Sequence, residues 1–475
     1  MKKLLICAFS LMFMTSCVDD LDEFNIDQKR ATNVPAATLY TNAVKGLTDV
    51  LTTPNVNTNN IRFYVQHWTS TQYLDEPRYN MTSRTIPQAM WTALYRDVLN
   101  DLQEAKRLVN ADQTLNENVK KNQLAQIEIM EVYAWSVLVN TFGNVPYTEA
   151  LNSQNALPAY DDAKTIYADI LKRLDTAIGM ITPSAAGFTG GDVIYGGSMA
   201  KWHRFANSLK LKLGMVVADV DNATAKKSAE EAVAAGVFTS NADNAAFKYL
   251  SAPPNNNPIS SNVKGPLSTR EDYVAANTLV DVMNNLNDPR RPFFFTDVNG
   301  AYVGGKYGFT NDFSKHSTVS AKIADPTFEA LLLDYSEVRF LLAEAVERGY
   351  TVGGTAAEHY HEGIKASIEY WGGTATQATA YIAQPGVNYA TAPGDWKQKI
   401  GKQEWIALYN RGYDAWITWR RLDAPTLLPP IEGLKVPTRI IYPINEQTLN
   451  PENRSTAASA IGGDESSTKL WWDVN

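Results

Sequence analysis

Two irregular stretches of this sequence carry the side chains with the clearest chemistry, aromatic rings interspersed with amides and carboxylates. No helical or strand period accounts for their spacing, so both stretches are predicted to be loops. The candidates for ligand binding are Gln66, Trp68, Tyr73, Tyr79, Tyr302, Tyr307, Asn311 and Asp312, with Phe309 in the second stretch. A flat ring offers an apolar face to the C–H bonds of a sugar, and amides and carboxylates at its rim can bond the hydroxyls. If the two stretches face each other, they would form an aromatic platform.

The same rings have a second interpretation, as core residues that anchor long loops. Aromatic residues within helical patterns are assigned to packing, namely Trp91, Tyr133, Trp202 and Trp416. Arg420 and Arg421 could grip an anionic sugar. We favour a role at a helix C-terminus, where positive charge is favourable and the stems pack on rings.

Catalytic and metal-binding motifs are sparse. The chain has five histidines, and His359 and His361 would point about 200° apart on a helix, so they cannot share a metal. No zinc-protease, nucleophile-elbow or phosphate-loop motif occurs. Two calcium-like fragments, 219–222 and 297–300, lack the bidentate Glu of a full loop. We predict no catalytic residue, metal or cofactor, although a paired-carboxylate glycosidase stays open because that chemistry leaves no local spacing.

The N-terminus reads as an export signal. Lys2 and Lys3 precede an apolar run, 4–14, that is too short to span a membrane. Small residues before Cys17 resemble the lipobox of bacterial lipoproteins, which implies cleavage after residue 16 and lipid attachment at Cys17. Because the other cysteine, Cys7, lies inside the signal, the mature chain can form no internal disulfide. Residues 17–32 are rich in Asp and Glu and are predicted to be a solvated tether.

The elements that must position the two ring-bearing loops are helical hairpins. Between 326 and 371, apolar residues recur at three- and four-residue steps on either side of a glycine-rich turn, 349–354. Such a pair is the unit of a tetratricopeptide-like array and cannot bury its apolar face alone. The same periodicity predicts helices over 35–51, 91–109, 118–142, 161–181, 199–218, 222–236 and 396–422.

The predicted fold class is mainly α, a tetratricopeptide-like helical-hairpin scaffold with an irregular, loop-rich lobe. The scaffold is assigned to about 87–236 and 326–423, the lobe to about 237–325 with one helical insert at 279–287, and an extended, proline-rich tail to 424–475. Net charge is −8, or −10 once Lys2 and Lys3 are removed, which argues against nucleic acid as a ligand.

Nearly all of the mature chain, over 33–475, resembles the SusD/RagB family of nutrient-binding outer-membrane lipoproteins, in its SusD-like branch. The residues that carry this resemblance are Phe142 to Tyr147, Asp288 to Arg290, Tyr335 to Glu344, Glu404 to Arg421, Tyr442 to Ile444 with Asn450 and Pro451, and Leu470 to Trp472. The resemblance implies a lipid-anchored protein on the extracellular face of the outer membrane. It also implies a partner, a TonB-dependent SusC-like transporter, over which the protein sits as a lid.

We therefore expect a non-enzymatic protein that binds a nutrient oligosaccharide at the cell surface and delivers it to that transporter. Three alternatives stay open: the same architecture with a peptide as cargo, a surface glycosidase, and a periplasmic helical-repeat scaffold.

Overall fold

The structure is a computed structural model, and it describes residues 34–475. The predicted signal peptide, the lipid attachment at Cys17 and the acidic tether lie outside the described residues. Residues from Ala36 to the C-terminus form one folded unit.

Helices make up most of this unit, which confirms the predicted mainly α class. In the first half they are α1 (Ala36–Thr52), α2 (Ile61–Tyr64), α3 (Ile86–Thr92), α4 (Asn100–Ala111), α5 (Glu117–Phe142), α6 (Ala163–Met180), α7 (Met199–Val216) and α8 (Asn222–Ala235). In the second half they are α9 (Asn277–Asn285), α10 (Arg291–Phe294), α11 (Ala321–Ala324), α12 (Tyr335–Glu347), α13 (Ala356–Trp371), α14 (Ala375–Ile382), α15 (Trp396–Ala407), α16 (Gly412–Leu422), α17 (Ile444–Leu449) and α18 (Pro451–Ala460). A π-helical segment, Ala93–Leu99, joins α3 to α4.

The hairpin of α12 and α13 forms where the sequence predicts it. Thr355 and Glu358 make a reciprocal capping box at the start of α13, an arrangement that stabilises a helix by about 1 kcal/mol. The two helices approach closely at Gly363, whose carbonyl accepts a 2.7 Å hydrogen bond from Ser336 Oγ. A Cβ on Gly363 would lie 3.1 Å from the Phe340 ring, so a small residue is needed there.

The hydrophobic core runs through the scaffold helices. α5 is buried on every side from Ala125 to Phe142, and α7 from Phe205 to Val216, so both helices lie at the centre of the molecule. A smaller cluster fills the space around α12 to α15 and includes Phe340, Tyr360, Ile364, Tyr381 and Ile400.

Buried ion pairs link three of the scaffold helices. Glu337 of α12 contacts Lys212 of α7 at 2.9 Å and Arg411 at 2.6 Å, and Asp414 of α16 contacts both cations. All four side chains are buried. Because a charge in this position is costly without its partners, the network fixes how these helices sit against one another.

The long helix predicted over 396–422 is instead two helices, α15 and α16. The chain turns at Asn410, which adopts a positive φ of 71°. Gly412 then packs against Arg62, where a Cβ would lie 2.8 Å from Arg62 Cγ. The break depends on this distant contact, so the local helical pattern does not show it.

The irregular lobe contains four short strands, β1 (Trp68–Ser70), β2 (Ala245–Phe247), β3 (Tyr273–Ala275) and β4 (Ala330–Leu333). β1 pairs antiparallel with β3, and β2 pairs antiparallel with β4. The pairing of β1 with β3 joins the segment that follows α2 to the lobe. The lobe therefore includes residues, such as those of β1, that lie far outside the predicted range of 237–325.

The tail differs from the extended chain that we predicted, because it contains α17 and α18. Its end packs into the scaffold: the Arg420 guanidinium lies 3.6 Å from the Trp416 ring centroid and 4.7 Å from that of Trp472. Arg420 also donates to the carbonyl oxygens of Asn140 and Thr438, at 2.9 Å each. Arg420 is therefore a buried residue that contacts α5 and the tail, in addition to lying near the C-terminus of α16. Arg421 is buried as well and pairs with Glu344 and Glu404.

Candidate functional site

The two stretches that carry the predicted binding residues meet in the folded protein, and Thr71 lies at their junction. The Thr71 nitrogen donates to the Asp272 carbonyl and its carbonyl accepts from the Asn311 nitrogen, both at 2.9 Å. Three loops therefore come together here, and we call residues 71–84, 264–272 and 306–315 the three-loop surface.

Two predicted residues at the start of the first stretch point inward. Trp68 is 1% exposed, and its indole nitrogen donates to the Tyr409 hydroxyl at 3.2 Å. Gln66 is buried, with its amide nitrogen 2.7 Å from the Leu428 carbonyl and its amide oxygen 2.8 Å from the Thr278 hydroxyl. Both side chains hold loops to the scaffold.

Three more predicted residues join the loops to one another. Tyr79 and Tyr307 are buried with ring centroids 6.5 Å apart, and the Tyr307 hydroxyl donates to the Phe63 carbonyl at 2.6 Å. The Asn311 side chain donates to the Ser70 carbonyl at 3.0 Å. Loops without a core of their own need such anchors, so these residues follow the second interpretation of the sequence and do not form an exposed platform.

Tyr73 is different, because 52% of its surface is exposed. Within residues 34–475, no other Phe, Tyr or Trp side chain is classed as exposed. The Arg84 guanidinium lies 5.9 Å from its ring centroid and also pairs with the buried Glu76 at 2.9 Å. Tyr73 thus presents an open ring beside a fixed cation.

The remaining two predicted residues lie at the edges. Asp312 is exposed, accepts from Ser314 and lies 3.2 Å from the Lys315 ammonium. Tyr302 is half-buried against Phe295 and Arg291, on the side of α9 and α10. Of the predicted set, Tyr73 and Asp312 are the accessible members of the three-loop surface.

Basic side chains on this surface were missed by sequence reasoning. Lys306 and Arg78 lie 3.9 Å and 5.7 Å from the ring centroid of half-buried Phe309, and Lys264 lies 5.3 Å from that of Phe313. In the sequence, the basic residues that alternate with aromatic residues in these loops could have indicated them. The three loops carry six basic and five acidic side chains, so they offer both donors and acceptors with little net charge.

His316 directly follows the third loop, and its ring nitrogen donates to the Asp312 carbonyl at 2.7 Å. The other four histidines and both calcium-like fragments lie outside the three loops. His67 is fully buried and donates a 3.1 Å hydrogen bond from its ring Nε2 to the Trp405 carbonyl, and burial lowers its pKa to about 3. Asp219 pairs with Arg348, while Asp221 caps α8. Within residues 34–475, no group of three His, Cys, Asp or Glu side chains is arranged to hold a metal ion. None of the helices in that range is both long and apolar enough to cross a bilayer.

Comparisons with known proteins agree on the architecture. A family model described as "Starch-binding associating with outer membrane" matches residues 28–443. A solved chitin-binding protein is 28% identical, with 93% of this chain and 100% of that chain covered and a TM-score of 0.79. A chitin-binding SusD homologue from Flavobacterium johnsoniae is 26% identical, with 92% and 99% covered and a TM-score of 0.78. A SusD homologue from Bacteroides uniformis is 27% identical, with the same coverage and a TM-score of 0.75. No curated protein matches the chain.

Proposed function

The chain belongs to the SusD-like family, and from that membership we propose that it binds a nutrient oligosaccharide at the cell surface through the three-loop surface. The observation that carries this proposal is Tyr73, an open aromatic ring on a loop that is bonded at Thr71 to the other two loops of the surface. A sugar ring stacked on Tyr73 would have the Arg84 guanidinium, which lies 5.9 Å from the Tyr73 ring centroid, as a partner for its hydroxyls.

Two relatives support a neutral polysaccharide as the source of the ligand. Both are described as chitin-binding, and the family as starch-binding. The near balance of charge on the three loops fits a neutral sugar better than a polyanion. Chitin and starch oligosaccharides are therefore the first ligands to test.

We propose further that the protein acts without catalysis, is anchored by lipid at Cys17, and passes its ligand to a TonB-dependent, SusC-like transporter in the outer membrane. A single exposed ring gives a weak site, and a partner transporter would make uptake effectively irreversible. The association of the family with the outer membrane supports this placement.

The test is calorimetric titration of the mature protein with chitohexaose, maltohexaose and a mixture of short peptides. Saturable binding of one hexasaccharide, weakened in Tyr73→Ala, supports the proposal. Binding of peptides alone would assign the surface to the alternative cargo. Release of shorter sugars, abolished by one carboxylate substitution, would instead identify a glycosidase.

Location is tested separately in intact cells. Added protease should remove the protein, and Cys17→Ser should release it from the membrane fraction. Full protection from protease would place the protein in the periplasm and support the helical-repeat scaffold alternative.

A further inference from the structure

A second cleft, which shares no residue with the three-loop surface, opens where the lobe meets the α12–α13 hairpin. Its volume is about 460 Å³, within the range of small-molecule sites. The residues that line it come from three separate segments: Lys248, Tyr249, Lys322, Asp325, Thr327, Phe328, Glu329 and Tyr370.

Two half-buried rings, Phe328 and Tyr370, form the apolar part of this cleft. The Lys322 ammonium lies 5.9 Å from the Phe328 centroid and 5.7 Å from the Tyr370 centroid. It is held there by a 2.9 Å hydrogen bond to the Trp371 carbonyl. The cation is therefore about equally far from both rings and fixed beside them.

Polar groups in the cleft offer both donors and acceptors. Burial and the neighbouring Glu329 carboxylate raise the pKa of Tyr370 well above its usual range, so its hydroxyl stays protonated and able to donate. Two lysines, Lys248 and Lys322, are matched by two acidic side chains, Asp325 and Glu329. A neutral ligand with many hydroxyls suits this balance better than an ion does.

A small chamber of about 30 Å³ lies beside the cleft, and Phe328, Glu329 and Tyr370 line both. Arg411 lines this chamber and is 8% exposed, and its Nε has no hydrogen-bond partner within residues 34–475. The nearby Asn410 Oδ1 is likewise unpartnered in that range. A buried donor and a buried acceptor beside a cleft are costly unless something bonds them.

We propose that this cleft is a second carbohydrate-binding site, which holds a neutral mono- or disaccharide unit against Tyr370 and Phe328. Glu329 and Lys322 bond the ring hydroxyls, and one hydroxyl or an ordered water reaches Arg411 and Asn410. The proposal rests on the proposed function in taking a sugar as the ligand, but it needs none of the residues of the three-loop surface. Two sites on one rigid scaffold would bind a long polysaccharide by avidity.

The test is hydrogen–deuterium exchange of the mature protein with chitotriose and with maltotriose, read separately over 71–84 with 306–315 and over 322–330 with 366–371. Wild-type protein should be protected in both regions by one of the sugars. Tyr73→Ala should lose protection in the first region only, and Tyr370→Ala or Glu329→Gln in the second only. Titration of Tyr370→Ala should show binding at that site weakened by about tenfold, as expected for the loss of one stacked ring.

Tyr389→Ala is the matched control, because Tyr389 is a half-buried tyrosine packed against Tyr360 outside both sites. It should bind as the wild type does. Glu329→Gln keeps the shape of the side chain, so it still tests the second site if Tyr370→Ala fails to fold.

Protection confined to the three-loop surface, with Tyr370→Ala and Glu329→Gln binding as wild type, would overturn the second site while the proposed function stands. Protection in neither region would overturn both. Protection of the cleft by short peptides and by neither sugar would show that its ligand class is wrong.

Discussion

Replacement of Tyr73 by alanine gives the sharpest test of the proposed binding surface. An aromatic side chain buries roughly 150–250 Å² when fully covered. Since Tyr73 is 52% exposed, about 100 Å² of it remains available to a ligand by that measure. A sugar ring stacked on one face would cover about half of this area.

The cost of losing that contact follows from the area. At roughly 25 cal/mol per Å², about 50 Å² of apolar surface contributes about 1.3 kcal/mol, which is about a tenfold change in Kd. The folded state should lose little, because about half of the Tyr73 side chain already faces solvent. We therefore expect Tyr73→Ala to weaken oligosaccharide binding by about tenfold with an unchanged Tm.

Calorimetry on the wild type, Tyr73→Ala and Tyr73→Phe provides the measurement. Tyr73→Phe keeps the ring and removes only the hydroxyl, so it should retain most of the affinity. Wild-type affinity in Tyr73→Ala, with Tm unchanged, would refute the assignment of Tyr73 as the stacking residue.

Three further predictions concern the frame that holds the surface. Trp68→Ala should lower the free energy of unfolding by about 3–5 kcal/mol, because it leaves a cavity in the core and removes a hydrogen bond to Tyr409. A Tm within a degree of the wild-type value would contradict the anchoring role of Trp68. Glu337→Gln should lower the free energy of unfolding, measured by chemical denaturation, by about 3–5 kcal/mol, because Lys212 and Arg411 each lose a buried carboxylate partner. Glu117→Gln is the control: it breaks the exposed pair of Glu117 with Lys121 and should change stability very little. Although burial opposes it, hydrogen bonds from Arg348 and Asn475 lower the pKa of Asp219 to about 2. The stability that comes from this lowered pKa is fully present above pH 3.8 and is lost as pH falls through about 2. In acid titrations, the free energy of unfolding of Asp219→Asn should therefore fall less between these pH values than that of the wild type. Identical acid unfolding curves for the two proteins would contradict the ion-pair assignment.

The helical scaffold follows closely from local sequence. Regular spacing of apolar residues marks α5 to α8 and the α12–α13 hairpin, because a helix face repeats every three to four residues whatever it packs against. Glycine turns such as 349–354 mark the reversals for the same local reason. The local pattern misplaced the break at Asn410 and the helices of the tail. Both have distant partners: Gly412 packs against Arg62, and Asn450, between α17 and α18, donates to the Pro158 carbonyl.

The ring-bearing loops were found from the sequence, but the exposure of each ring was not. Trp68 and Tyr73 belong to the same predicted loop and both carry aromatic rings, yet one is 1% and the other 52% exposed. The sequence by itself determined that aromatic side chains would lie on loops joined to a helical frame. Only the tertiary structure decided which ring faces solvent, because the pairing of β1 with β3 turns Trp68 toward Tyr409 and leaves Tyr73 beyond the end of the strand.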